Sequence, residues 1–250
     1  MKRILTAVPI LLALFLSRTV FGQYAKDAPG QSYEPTVSYQ RKILRGFRIY
    51  TSSKVALHQA EAAPALKLLD EKLQEITRIV PPDRLKRLQE VALWVEWENR
   101  KDGAAEYHIS PDWLKANHYN PDKAKGVEIR NLLHFEKWTR EDQPMMILHE
   151  LAHSYYDRVL GIGNADVKAA YARAVKSRSY ESVAYIHGQK LRAYALNNDQ
   201  EYFAEITEAY FGHNDYYPFT REDLQRHDPM GYALMKKAWG EPVRPSVGKS

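Results

Sequence analysis

The 250-residue sequence contains no cysteine, and several devices are excluded by that alone. No disulfide can form, no lipid can be attached through an N-terminal cysteine, and no latent state can be held by a thiolate sitting on a metal. A domain of this length must then depend on its packed core, which 44% apolar and 27% charged residues can supply. No apolar run is long enough to span a bilayer. The stretch at 4–16 has 13 residues and is broken by Pro9, whereas a spanning helix needs about 20. Net charge is also scarce. The first 22 residues hold Lys2, Arg3 and Arg18 with no acid, so only +2 of the formal +5 falls on residues 23–250. A near-neutral chain gives no warrant for a nucleic-acid partner. Nor is there a phosphate loop, because Asp166 stands where a third glycine would have to follow Gly161 and Gly163.

What is present begins with Lys2 and Arg3, the short apolar run, and Val20 and Gly22 at the two positions a signal peptidase inspects. Residues 1–22 therefore predict a secretory signal, removed near Gly22, and a protein that is secreted or periplasmic with no membrane span afterwards. Residues 23–40 are polar, contain Pro29, Gly30 and Pro35, and read as a flexible linker or arm. A domain over 41–240 follows, and 241–250, with Pro242 and Pro245, reads as a disordered tail.

Within the domain, bulky and polar residues alternate at 46–51, as in a half-buried strand. Leu66, Leu69, Leu73, Ile76 and Val80 recur at steps of three and four, so 65–80 predicts an amphipathic helix stopped by Pro81 and Pro82. Residues 91–97 are rich in branched and aromatic side chains and predict a second strand. Short extended segments at 106–110 and 127–130 offer a sheet edge along which a peptide could lie. The spacing then predicts helices at 144–160, capped by Asp142 and ended by Gly161, and at 166–177, 200–211 and 229–239. The fold class expected is α+β: a twisted mixed sheet packed on the 144–160 helix, with a C-terminal helical part.

That helix carries His149-Glu150-Leu151-Ala152-His153, an HExxH pattern. Residues four apart share a helix face, so both imidazoles can meet one zinc ion. Glu150 is rotated about 100° from His149, beside the metal rather than on it, and suits a general base that takes a proton from metal-activated water. Met145, Met146, Ile147, Leu148 and Leu151 make the helix deeply buried, where two histidines and a glutamate are costly without a partner. A third ligand is needed. Tyr156 and Val159 occupy the places where metzincins have a glycine and a third histidine, which excludes that arrangement. A carboxylate from a later helix remains, and Glu201 is the best candidate. Glu205, four residues on, shares its face, so one of the pair can bind the ion while the other orients a ligand histidine. The other histidines lack paired spacing and read as structural or exposed, and 213–218 reads as a capped turn packed by aromatics.

Tyr194, followed after six residues by Glu201-Tyr202-Phe203-Ala204-Glu205, resembles the third-ligand segment of anthrax-lethal-factor-like zinc metallopeptidases, and Asp157, four residues past His153, adds to the likeness. The resemblance covers about 143–211. It implies a zincin-like catalytic domain with one Zn2+ held by His149, His153 and Glu201, Glu150 as general base, and Tyr194 stabilising the oxyanion. Glu205 and Asp157 would stand behind the metal ligands. The function expected is an exported zinc endopeptidase acting on a peptide or protein. The alternatives are a non-catalytic exported metal-containing binding protein and a zinc amidase acting on a cell-wall amide. The oligomeric state is not specified by the sequence.

Overall fold

Arg45 and Gly46 both take positive φ, 51° and 85°, the left-handed geometry of a two-residue hairpin turn whose twist suits the flanking strands. They join β1 (Gln40–Leu44) to β2 (Phe47–Thr51), with Leu44 opposite Phe47. The computed structural model describes residues 33–99 and 101–243; the signal expected at 1–22 lies outside them. After β2 come α1 (Ser53–Leu57), α2 (Gln59–Ile79), α3 (Pro82–Gln89), β3 (Ala92–Val95), β4 (Ala105–Tyr107), α4 (Pro111–Ala116), β5 (Val127–Ile129) and α5 (Leu132–Glu141). The second half holds α6 (Met146–Tyr155), α7 (Ala165–Ser177), β6 (Val183–Ala184), β7 (Lys190–Leu191), α8 (Asp199–Phe211), α9 (Arg221–His227) and α10 (Pro229–Trp239).

The fold is α+β around a mixed five-stranded sheet of order β1-β2-β3-β5-β4. The central pairs β2/β3 and β3/β5 are parallel, and the outer pairs β1/β2 and β5/β4 antiparallel. Alternate residues Phe47, Ile49, Leu93, Val95, Val127 and Ile129 are fully buried and share one core with Leu69, Leu73 and Ile76 of α2 and Ile147, Leu148 and Leu151 of α6. Each such side chain contributes about 1.5–3 kcal/mol by leaving water. The opposite face bears Trp94, stacked on Tyr50 at 4.3 Å, and a buried polar layer in which Lys123 Nζ donates to Glu96 at 2.6 Å and to Glu128 at 2.5 Å.

Three expectations need correction. The arm at 23–40 is docked over its described part: Tyr39 meets Trp94 edge-on at 5.0 Å, and its hydroxyl donates to Glu96 at 2.6 Å. Glu241 of the expected tail pairs with Arg221 and Lys236, and Val243 N donates to Ile79 O at 3.0 Å. The helix expected at 144–160 is α6 followed by a π-helical turn, Tyr156–Gly161, ending at Gly161 with φ 84°. Asp142 does not cap it. The N-cap is Met145, without a side-chain bond, while Asp142 closes α5 and meets His187 at 2.8 Å. Among the described residues no helix is long and apolar enough to cross a membrane.

Candidate metal centre

The helical step of four brings the His149 and His153 rings to 4.7 Å, nearly perpendicular at 82°. Opposite them, Asn198 caps α8 by accepting from the backbone N–H groups of Gln200 and Glu201 at 2.9 and 2.8 Å, which fixes Glu201 in the first turn. The buried face of α8, with Tyr202, Phe203, Ala204 and Ile206, packs this helix against α6. Glu201 Oε2 then lies 3.1 Å from His149 Nε2 and 3.3 Å from His153 Nε2. A tetrahedral site with bonds of about 2.0–2.1 Å has ligand-to-ligand edges of about 3.3–3.4 Å, so these spacings suit zinc. Among the described residues no fourth imidazole or carboxylate joins the three.

Protons can also bridge these groups. His149 faces carboxylates at both ring nitrogens, Glu201 at Nε2 and Glu208 at Nδ1. Burial disfavours its charged form, yet the bonds to Glu201 and Glu208 outweigh that and raise its pKa well above 6.5. Burial likewise raises Glu201, but the two imidazoles reverse the shift and hold it well below the usual carboxylate range. A negative group facing two imidazole nitrogens is a setting in which a divalent ion can replace the bridging proton.

Behind His149 the structure alters the expected support. Glu208 Oε1 accepts from Nδ1 at 2.7 Å and from Gln143 Nε2 at 3.0 Å, whereas Glu205 is 3.8 Å from Nδ1. Glu208 therefore holds the ring, and Glu205, also buried, accepts from Asn214 Nδ2 at 3.3 Å. Glu208 lies seven residues past Glu201, on the same helix face, and that spacing was the available signal. Burial, then Asp215 and Glu208, raise the Glu205 pKa well above normal. Burial and Glu208 push Asp215 up to about 7. The 213–218 segment is a turn packed by aromatics, His213 on Phe219 and Tyr217 on Phe219, and it also brings Asn214 and Asp215 to this cluster.

The Tyr194 ring centroid lies 6.5 Å from that of His149, and its side chain is partly exposed. Burial and the fields of Glu201 and Glu150 raise its pKa, so the phenol keeps its proton and can donate. The field of Glu150 also reaches Glu106 on β4. Asp157 does not stand behind either imidazole: its carboxylate accepts from Tyr107 and Lys125, while the buried Nδ1 of His153 has no hydrogen-bond partner among the described residues. A second set, Glu106, His108 and Glu128, also has metal-ligand spacing, but Lys123 and Arg130 already supply its positive charge. The chain matches no protein-family model, no curated protein and no solved structure.

Proposed function

We propose that the chain is a zincin-type, zinc-dependent endopeptidase, exported under the direction of residues 1–22. The observation that carries the reading is the approach of Glu201 Oε2, from a helix some fifty residues later, to within 3.1 and 3.3 Å of two imidazole nitrogens flanking a glutamate. His149, His153 and Glu201 would hold the ion. When bound, zinc supplies Lewis acidity that lowers the pKa of water from 15.7 towards about 7. A set of three protein ligands favours an open, catalytic position over a closed, structural one.

Glu150 then accepts a proton from water and returns it to the leaving amine. Tyr194, held protonated, donates to the carbonyl oxygen as negative charge grows there. Glu208 keeps the His149 ring in one tautomer by accepting from its Nδ1. The open side of β4 supports a peptide substrate. Arg130 N donates to Ala104 O and His108 N to Gly126 O, so residues 104 and 108 face β5. By alternation the N–H and C=O groups of Ala105 and Tyr107 face outwards, ready to pair with an extended chain.

The test is digestion of a mixed peptide library by zinc-loaded wild type and by Glu150→Gln, read by mass spectrometry. The wild type should cleave, and the variant should keep its zinc while losing about 10²- to 10⁴-fold in rate. Equal cleavage by the two proteins would remove Glu150 as the base.

A further inference from the structure

Asp157 follows the HExxH helix by one turn, but its partners belong to the sheet. Tyr107 Oη donates to Asp157 Oδ2 at 2.7 Å and Lys125 Nζ at 2.5 Å. The Asp157 side chain is only 11% exposed, so the pair is shielded from solvent on one flank. Both donors sit at one end of the β4/β5 ladder. Tyr107 is the last residue of β4, and Lys125, held at φ 60°, donates its backbone N–H to His108 O at 2.6 Å.

β4 has three residues and one neighbouring strand, so its ladder alone fixes it weakly. Tyr107 combines two roles: its main chain belongs to the open edge, and its side chain is tied to the turn that continues the metal helix. We propose that Asp157 is a positioning residue that clamps the open edge of β4 to the α6 turn and so sets where an extended peptide lies relative to the three metal-binding atoms. This rests on the peptidase reading above. It makes Asp157 a determinant of substrate placement and not of metal affinity.

Asp157→Ala and the milder Tyr107→Phe test it, each compared with wild type on a peptide that the wild type cleaves. KM should rise about tenfold in Tyr107→Phe, the size expected for losing one charge-assisted hydrogen bond, and at least as much in Asp157→Ala, which loses two, while zinc content and affinity stay unchanged. Amide hydrogen exchange over residues 104–108 should quicken in both variants, a readout that needs no activity. Unaltered KM with unaltered exchange would overturn the proposal, as would loss of zinc from Asp157→Ala, which would show that the carboxylate acts through His153. A wild type that cleaves nothing would defeat the peptidase reading. Faster exchange in the variants would then show that the clamp exists but serves only the fold.

Discussion

Replacing Glu208 by alanine should weaken zinc binding more than the same change at Glu205. In the folded chain Glu208 Oε1 accepts a hydrogen bond from His149 Nδ1 at 2.7 Å, and both residues are buried, so no water can take over the acceptor role cheaply. An unsatisfied buried donor costs about 1–3 kcal/mol, which at 1.4 kcal/mol per decade is about 5- to 150-fold in affinity. Independent experience with the partners of ligand histidines gives about 10- to 100-fold. Glu205 is 3.8 Å from the same nitrogen, beyond hydrogen-bond range, and a raised pKa keeps it neutral more readily, so Glu205→Ala should change affinity by less than about threefold. Competition against a chromophoric chelator at fixed pH measures both. The two thermal unfolding midpoints of the metal-free variants guard against a folding defect. If Glu205→Ala lost more zinc affinity than Glu208→Ala, the orienting role would belong to Glu205 and the Glu208–His149 bond would not be what holds the ring.

The elements legible in the sequence are those with a long apolar period or a strong breaker. The helix expected at 65–80 is α2, which starts earlier, at Gln59, because Pro64 is accommodated inside it. The strands at 46–51 and 91–97 are β2 and β3, and the helix at 229–239 is α10. β1 is not legible because it lies at the sheet edge with both faces largely in solvent, so Gln40–Leu44 shows no alternation. α3 was hidden by proline: Pro81 and Pro82 stop α2, but Pro82 also opens the next helix, where its missing N–H costs nothing. α9 did carry a signal, the Thr220 and Asp223 capping box, but seven residues are too few for an apolar period.

For the candidate site, the helical step of four already put His149 and His153 on one face of a helix, and the aromatic neighbours of Glu201 signalled that its helix is buried. What stayed illegible depends on tertiary approach. Nothing near Asp157 indicates that its partners lie 50 and 32 residues earlier, at Tyr107 and Lys125. Asn214 and Asp215 reach the acid cluster because the turn after α8 folds back on it, so that Asn214 bonds to Glu205 nine residues earlier, a contact with no periodic signature. A carboxylate placed one turn after a ligand histidine suggests support for that ligand, but the π-helical turn at Tyr156–Gly161 changes the direction in which such a residue is presented.

Two further outcomes follow from charges buried in the fold. Lys123→Ala should destabilise the domain by about 3–5 kcal/mol in urea unfolding, because it strands Glu96 and Glu128 without their shared cation; Lys123→Met should fare no better, since the two acids remain. A loss under about 1 kcal/mol would mean that water enters the layer behind the sheet. The second concerns protons. In the metal-free chain the His149 pKa is raised well above 6.5, so the ring is charged at pH 7 and must give up a proton to coordinate through Nε2. Its stabilising contribution is complete below 6.5 and is lost as pH rises through the raised folded value. Zinc should therefore bind with release of about one proton at pH 7, and its apparent affinity should fall about tenfold per unit as pH drops below that value. Calorimetric titration in buffers of different ionisation enthalpy measures the release. Zinc uptake with no proton released would mean that His149 is already neutral in the free chain, and the charged pair it forms with Glu201 and Glu208 would have to be abandoned.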